Sequence, residues 1–275
     1  MKRNTIWSSI FLVFVLLFLY IPILVVIVYS FNDNLSRIPL SFDGFTLHWY
    51  EMLFSGQGGF DNALWLSIQV ALYSVLLACL LGTFGALGIA HKTLYHNKKI
   101  SKPDAILETI LTLPIMIPEI ILGVAFMIIF NSLGIKGNVL RLVFAHTTFC
   151  IPYLYLNVKS RLMGMDRALF DAARDLGASP FDVMRDITLP LCKPAIISGA
   201  FLAFAMSMDD FVISFFVYGV GEGTLPLKIY SSVKAGVSLQ VNALCTLMIV
   251  VIFFSLALNQ WVGAKKKKHA IANAT

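Results

Sequence analysis

Three carboxylates stand where the surrounding sequence is apolar. Asp209 and Asp210 lie side by side in SMDDFVISFFVYG (Ser207–Gly219), and Glu119 follows Pro118 in another apolar stretch. A carboxylate at the centre of a bilayer costs about 2.5–3.5 kcal/mol even on the lenient insertion scale. Neither stretch contains a Lys or Arg to offset that cost. Such groups must face a wet path, face a partner, or take up a proton. The chemistry open to them is contact with a cation in transit, carriage of protons or sodium ions, or the capping of a helix break. Adjacent residues on a helix project about 100° apart. One of Asp209 and Asp210, either one, is therefore expected to face the path while the other is structural.

The remaining reactive residues make no constellation. Glu108 falls near basic residues at one end of its apolar stretch, and His91 and His96 lack metal-ligand spacing. His146 reads as a hydrogen-bonded packing residue. Cys79, Cys150, Cys192 and Cys245 form no CxxC pair and read as buried free thiols. No metal site is expected. The run GVGEG (Gly219–Gly223) lacks the Lys-Ser/Thr of a phosphate loop, and no G-x-x-x-x-G-K-[ST] occurs elsewhere. The chain is expected to be no enzyme, with neither ATP hydrolysis by that route nor an intramembrane Ser–His or metal centre.

The elements that position these residues are membrane spans. Of 275 residues, 58% are hydrophobic and 13% charged, against about a quarter charged in an ordinary soluble domain. Six segments reach the length of about 20 apolar residues that a crossing needs. They run over about 10–31, 63–90, 105–130, 139–158, 195–218 and 241–262. The fourth carries Arg141, His146, Thr147 and Thr148 and is the weakest. Pro22, Pro114, Pro118 and Pro152 lie inside spans, where freed backbone carbonyls must face protein or water. Gly82, Ala86 and Ala90 put small residues on one helix face, which suits close packing.

Charge sets the orientation. Lys92, Lys98, Lys99 and Lys102 follow the second span, and Lys159, Arg161, Arg167, Arg174, Arg185 and Lys193 follow the fourth. Both ends are basic too, with Lys2 and Arg3 at one and Lys265–Lys268 at the other. The 32–62 connection carries Asp33, Asp43, Glu51 and Asp61 against Arg37. By the positive-inside rule both termini are cytoplasmic. The expected organisation is a cytoplasmic N-terminus (1–9), a six-span domain (10–262) with a cytoplasmic loop at 159–194, and a basic tail (263–275). No basic patch with interleaved aromatics suggests nucleic acid.

The polar stretch LFDAARDLGASPFDVMRDITLP (Leu169–Pro190) departs from this pattern. Asp166 can cap a helix starting at Arg167. Leu169, Ala172, Ala173 and Leu176 make a small apolar face at helical spacing. Gly177 suits a left-handed helix stop. Ser179, Pro180 and Asp182 restart a helix, which Leu189-Pro190 is expected to end. The small face suits either a groove on a soluble partner or the headgroup surface.

Asp171-Ala172-Ala173, Gly177 four residues on, then Ile187, Leu189 and Pro190 resemble the EAA loop of ABC importer permeases. Asp171 stands where that family usually has Glu, one methylene longer. The resemblance implies that these residues, with Leu176, form the element that docks into a cytoplasmic ATPase. It also implies an all-α integral membrane protein of the type I ABC importer permease kind. The segments Ser207–Gly219, Thr224–Leu244, FNDN (Phe31–Asn34), FTLHWY (Phe45–Tyr50) and AHTTFCIPY (Ala145–Tyr153) are similar to spermidine/putrescine permease subunits of the PotC type. They make Glu119, Asp209 and Asp210 the candidate substrate-path residues.

The implied partners are a second permease chain in a heterodimer, two copies of an ATP-binding subunit and an extracytoplasmic substrate-binding protein. ATP-Mg would sit on the ATPase, with no cofactor on this chain. The implied location is a bacterial cytoplasmic membrane. The alternatives are a permease of the same family for iron, sulfate or molybdate, and an ion-coupled secondary transporter.

Overall fold

The computed structural model describes residues 2–34, 36, 41–94, 101–219, 223–236 and 239–272, with side chains throughout except at 2–6, 90–94, 255–256 and 258–272. Arg37, His96, Lys98, Lys99 and most of the glycine-rich run at 219–223 lie outside the described residues. So do the side chains of Lys2, Arg3, Ala90, His91, Lys92 and Lys265–Lys268.

The described residues form α1 (Lys2–Tyr29), α2 (His48–Phe54), α3 (Phe60–Leu94), α4 (Lys102–Met116), α5 (Glu119–Ser132), α6 (Asn138–Met163) and α7 (Arg167–Asp175). They continue with α8 (Pro180–Val183), α9 (Leu189–Asp209), α10 (Val212–Val217), α11 (Leu225–Ala235) and α12 (Leu239–Ala272). Four helical stretches are long and apolar enough to cross a membrane: Trp7–Tyr29, Phe60–Ile89, Asn138–Met163 and Pro180–Asp209. A fifth crossing is counted if α4 and α5 act as one broken span. Leu239–Phe254, the apolar start of α12, is shorter in its described part.

The chain divides into two compact units. One comprises Met1–Asp61 with Ile229–Thr275, where α12 packs against α1 and α2. No residue in the apolar stretch of α1 is fully buried within the protein, as expected of a helix apolar all round when lipid is its solvent. The FNDN and FTLHWY segments of this unit close on each other. Asn32 makes an antiparallel bridge with Phe45, and the Trp49 indole donates to the Asn32 carbonyl at 2.8 Å. The rings of Phe31 and Phe45 stack at 5.1 Å.

The other unit, Asn62–Lys228, is built around α6. Leu142, Leu154, Tyr155, Val158 and Leu162 of α6 are fully buried, and the helix packs on α4 and α9. The polar residues that made this segment look weak are explained by its central place. Thr147 and Thr148 return their hydroxyls to the carbonyls one turn back, and His146 is buried among partners described below. Gly82 and Ala86 of α3 sit against this core. A Cβ on Gly82 would lie 2.8 Å from the Leu154 Cβ, a closeness that only small residues permit.

Two of the expected spans are broken, and one expected helix stop is absent. The 105–130 segment is not one helix: the chain bends by 108° between α4 and α5. Pro118 lacks an N–H and forces the preceding residue toward extended backbone. Ile117 is extended (φ −88°, ψ 130°), so α4 ends at Met116 and α5 begins at Glu119. The 195–218 segment breaks at Asp210, which is extended (ψ 117°) between α9 and α10. Leu189-Pro190 does not stop the helix begun at Pro180. Pro190 would crowd the carbonyl four residues back, and the chain widens into a π-turn over Met184–Thr188 and runs on. The Thr188 hydroxyl donates to the Val183 carbonyl at 3.1 Å within that turn.

Candidate functional site

The two breaks lie together. Where α4 bends into α5 and α9 gives way to α10, a pocket of about 190 Å³ opens, lined by Pro114, Glu119, Tyr153, Asp209, Asp210 and Phe211 among others. All three predicted carboxylates therefore share one pocket, and no Lys or Arg is among its described lining residues. α5 reaches α10 because Gly123 has no side chain: a Cβ there would sit 2.9 Å from Phe216.

The three carboxylates have different surroundings. Glu119 is exposed in the first turn of α5, where the helix N-terminus favours negative charge. Asp209, the last residue of α9, is exposed as well. Neither carboxylate makes a hydrogen bond or ion pair among the described residues. Asp210 is engaged on every side, with its side chain 6% exposed. It accepts from the Ser214 amide at 2.8 Å, the Ser214 hydroxyl at 2.7 Å and the Ile213 amide at 3.2 Å. It thus satisfies amides that the start of α10 leaves unpaired. His146 Nε2 lies 3.3 Å from its Oδ2.

The arrangement can do one thing readily: hold a cation. Two carboxylates without partners among the described residues, a third close by and Tyr153 in the same lining make an electronegative recess. Glu108 has a different role. It pairs with Lys159, tying α4 to α6, and Lys159 also lies over the Tyr155 ring at 5.8 Å.

The polar loop is a second candidate site. Asp166 caps α7, accepting from the Ala168 amide. Gly177 is left-handed at φ +80°, and Ser179 and Asp182 form a reciprocal cap with Pro180 in the first turn. The apolar residues divide between two faces, which corrects the single face expected. Ala173 points inward with Phe170 and Val183, and Met165, Ala178 and Ile187 pack against them. Leu169 (46% exposed), Ala172 and Leu176 (88% exposed) face outward. Asp171 is exposed and paired with Arg174 at 3.0 Å. Leu189 packs toward the Tyr155 cluster, and Pro190 is exposed.

Sequence reasoning overlooked Phe170, whose three-residue spacing to Ala173 was a readable signal. It also overlooked Ser207 and Ser214, which no local pattern marks.

Comparison with known proteins gives consistent relationships. Residues 82–268 match the family described as binding-protein-dependent transport system inner membrane component. The chain is 39% identical over 251 residues to the spermidine/putrescine transport system permease protein PotC of Escherichia coli (strain K12), covering 91% of each. It is 38% identical to the protein of the same description in Haemophilus influenzae, covering 93% of this chain and 95% of that one. It is 36% identical to the putrescine transport system permease protein PotI of Escherichia coli (strain K12), covering 88% and 85%.

The fold resembles two solved structures. One is a bacterial ABC transporter involved in the import of the acidic polysaccharide alginate (TM-score 0.62, 14% identity, 95% and 96% covered). The other is an amino acid ABC transporter crystallised with histidines (TM-score 0.56, 16% identity, 76% and 94% covered).

Proposed function

The chain belongs to the binding-protein-dependent transport system inner membrane components, and from that premise we propose that it is the permease subunit of an ATP-driven importer carrying the polyamines spermidine and putrescine into the cell. The observation that carries the cargo assignment is the pocket at the two broken segments, where Glu119 and Asp209 have no hydrogen-bond or ion-pair partner among the described residues. A polycation entering it exchanges hydration for carboxylate contacts, with the Tyr153 ring available for cation–π attraction. Relatives that carry the same cargo in their names support the reading.

The subunit works in an assembly. It pairs with a second permease chain, takes substrate from an extracytoplasmic binding protein, and is driven by two copies of an ATPase that hold ATP-Mg. The chain itself binds no cofactor and catalyses no reaction. It crosses a bacterial cytoplasmic membrane six times, with α4 and α5 as one broken crossing, α12 as the last, and both termini in the cytoplasm. The arrangement is that of a type I importer. ATP binding closes the ATPase pair. The loop around α7, through Leu169, Ala172 and Leu176, passes that motion to α9 and so to the pocket.

The test is uptake of labelled spermidine and putrescine by vesicles holding the complete assembly. Uptake that needs hydrolysable ATP and survives collapse of the ion gradients is the expected result. Uptake that persists without the ATPase and vanishes with the gradients would establish an ion-coupled carrier instead. ATP-driven uptake of iron, sulfate or molybdate without polyamine uptake would overturn the cargo.

A further inference from the structure

We infer that His146 is a positioning residue: from α6 it fixes the break between α9 and α10, and so aims Asp209 into the pocket. This rests on the import reading above and adds a residue to it.

His146 is fully buried and touches both sides of the break. Its Nδ1 lies 2.7 Å from the Ser207 hydroxyl on α9. Its Nε2 lies 3.0 Å from the Ser214 hydroxyl on α10 and 3.3 Å from Asp210 at the break itself. These contacts can all be satisfied at once. Ser214 donates to Asp210, which leaves its oxygen free to accept from Nε2–H. Nδ1 then accepts the Ser207 proton. An imidazole with a hydrogen on Nε2 and a lone pair on Nδ1 presents one donor and one acceptor on two sides of a rigid ring. No aliphatic side chain can bridge the break this way.

The consequence falls on Asp209. A helix continuing past Asp209 would keep turning the backbone at 100° per residue. With Asp210 drawn toward His146 and the α10 amides, α9 ends at Asp209, whose carboxylate stays exposed on the pocket wall. His146 does not itself line the described pocket, and both its nitrogens already have partners. It acts through the backbone and not on the cargo.

The test is a double-mutant cycle on the complete importer, read as ATP-driven spermidine uptake per copy of permease in the membrane. His146→Phe keeps a ring and removes both nitrogens. It is expected to lower uptake about tenfold, the scale of lost hydrogen bonds to a charged group. His146→Gln, which can still donate toward Asp210 and Ser214, should recover most of that loss.

In an Asp209→Asn background, His146→Phe should cost less than about twofold, because residues acting through one group are not additive. If His146→Phe does not reach the membrane, the cycle is run with His146→Gln, whose loss must still be smaller in the Asp209→Asn background than with Asp209 intact. Wild-type uptake by His146→Phe, or the same fold-loss in both backgrounds, overturns the inference. Failure of the wild-type assembly to take up polyamine overturns the import reading instead, so the two failures are distinguishable.

Discussion

The loop around α7 and the pocket between α5 and α10 both interrupt an apolar helical protein, and they do so by different means. In the loop every stop and start is local. Asp166 caps two residues on, Ser179 and Asp182 cap each other, and Gly177 turns the chain. At the break beside the pocket, Asp210 caps α10 locally, but a remote contact is added: His146 meets residues 61 and 68 positions away. A local device makes a self-contained surface knob that a partner can push. A remote one makes a site whose geometry depends on how three helices pack.

The largest expected effect separates the loop's two faces. Leu176→Asp changes an 88% exposed residue, so the permease should reach the membrane in normal amount. Uptake should nevertheless fall on the order of a hundredfold, as for a central interface residue, while ATPase activity no longer responds to loaded binding protein. Ala173→Arg should fail differently. It forces a long cation against Phe170 and Val183, at about 1–3 kcal/mol for overpacking. Limited proteolysis should cut its loop faster than that of Leu176→Asp. Equal protection in both variants would erase the distinction between an inward and an outward face.

The next effect separates the two neighbouring aspartates. Asp209→Asn should lower spermidine uptake about tenfold or more, through loss of a charge-assisted contact, with normal abundance in the membrane. Asp210→Asn replaces one of two acceptor oxygens with a donor, which then faces either the Ile213 amide or the Ser214 amide. It should destabilise by about 1–3 kcal/mol, read as a lower melting temperature of the purified permease. If the two variants behave alike, the pocket does not assign the pair separate roles.

These contrasts match what could be read in the residues alone. The caps of α7 and α8 and the Gly177 turn were legible because each depends on neighbours within four positions. Glu119 and Asp209–Asp210 were legible as misfits in apolar sequence. Their meeting in one pocket was not, since it needs Pro118 to bend one segment by 108° and Asp210 to break another. The division of the loop face was missed because Leu169, Ala172, Ala173 and Leu176 are all small or apolar. Only Phe170, packed on the same side as Ala173, reveals which stripe is inside. The π-turn escaped because proline at 190 reads locally as a stop, whereas a widened turn lets the helix pass it.

A middle-sized effect tests the turn itself. Gly177→Ala places a Cβ at φ +80° and should cost about 1–2 kcal/mol locally. Hydrogen exchange at the end of α7 should quicken, while the pocket-side amides of α10 remain as protected as before. Faster exchange at α10 would mean that loop and pocket are less separable than their hydrogen bonds suggest.

The smallest effect probes whether the loop's charged face is only a solvated one. Arg185 holds Asp186 through two hydrogen bonds, at 2.7 and 2.8 Å. Those bonds hold the Asp186 carboxyl below the usual carboxylate range, and they raise the Arg185 guanidinium in turn. A depressed folded value means that the pair's contribution is fully present above the ordinary carboxylate value. It is lost as pH falls through the depressed one. Both side chains are exposed, so solvent screens the pair and uptake at neutral pH should be unchanged in Arg185→Gln. The measurable change is in titration: carboxyl NMR of the full-length permease should show Asp186 returning to the ordinary range in that variant. An Asp186 that already titrates there in the wild type would mean that the pair does not persist in solution. The loop's charges would then serve only to keep its polar face in water.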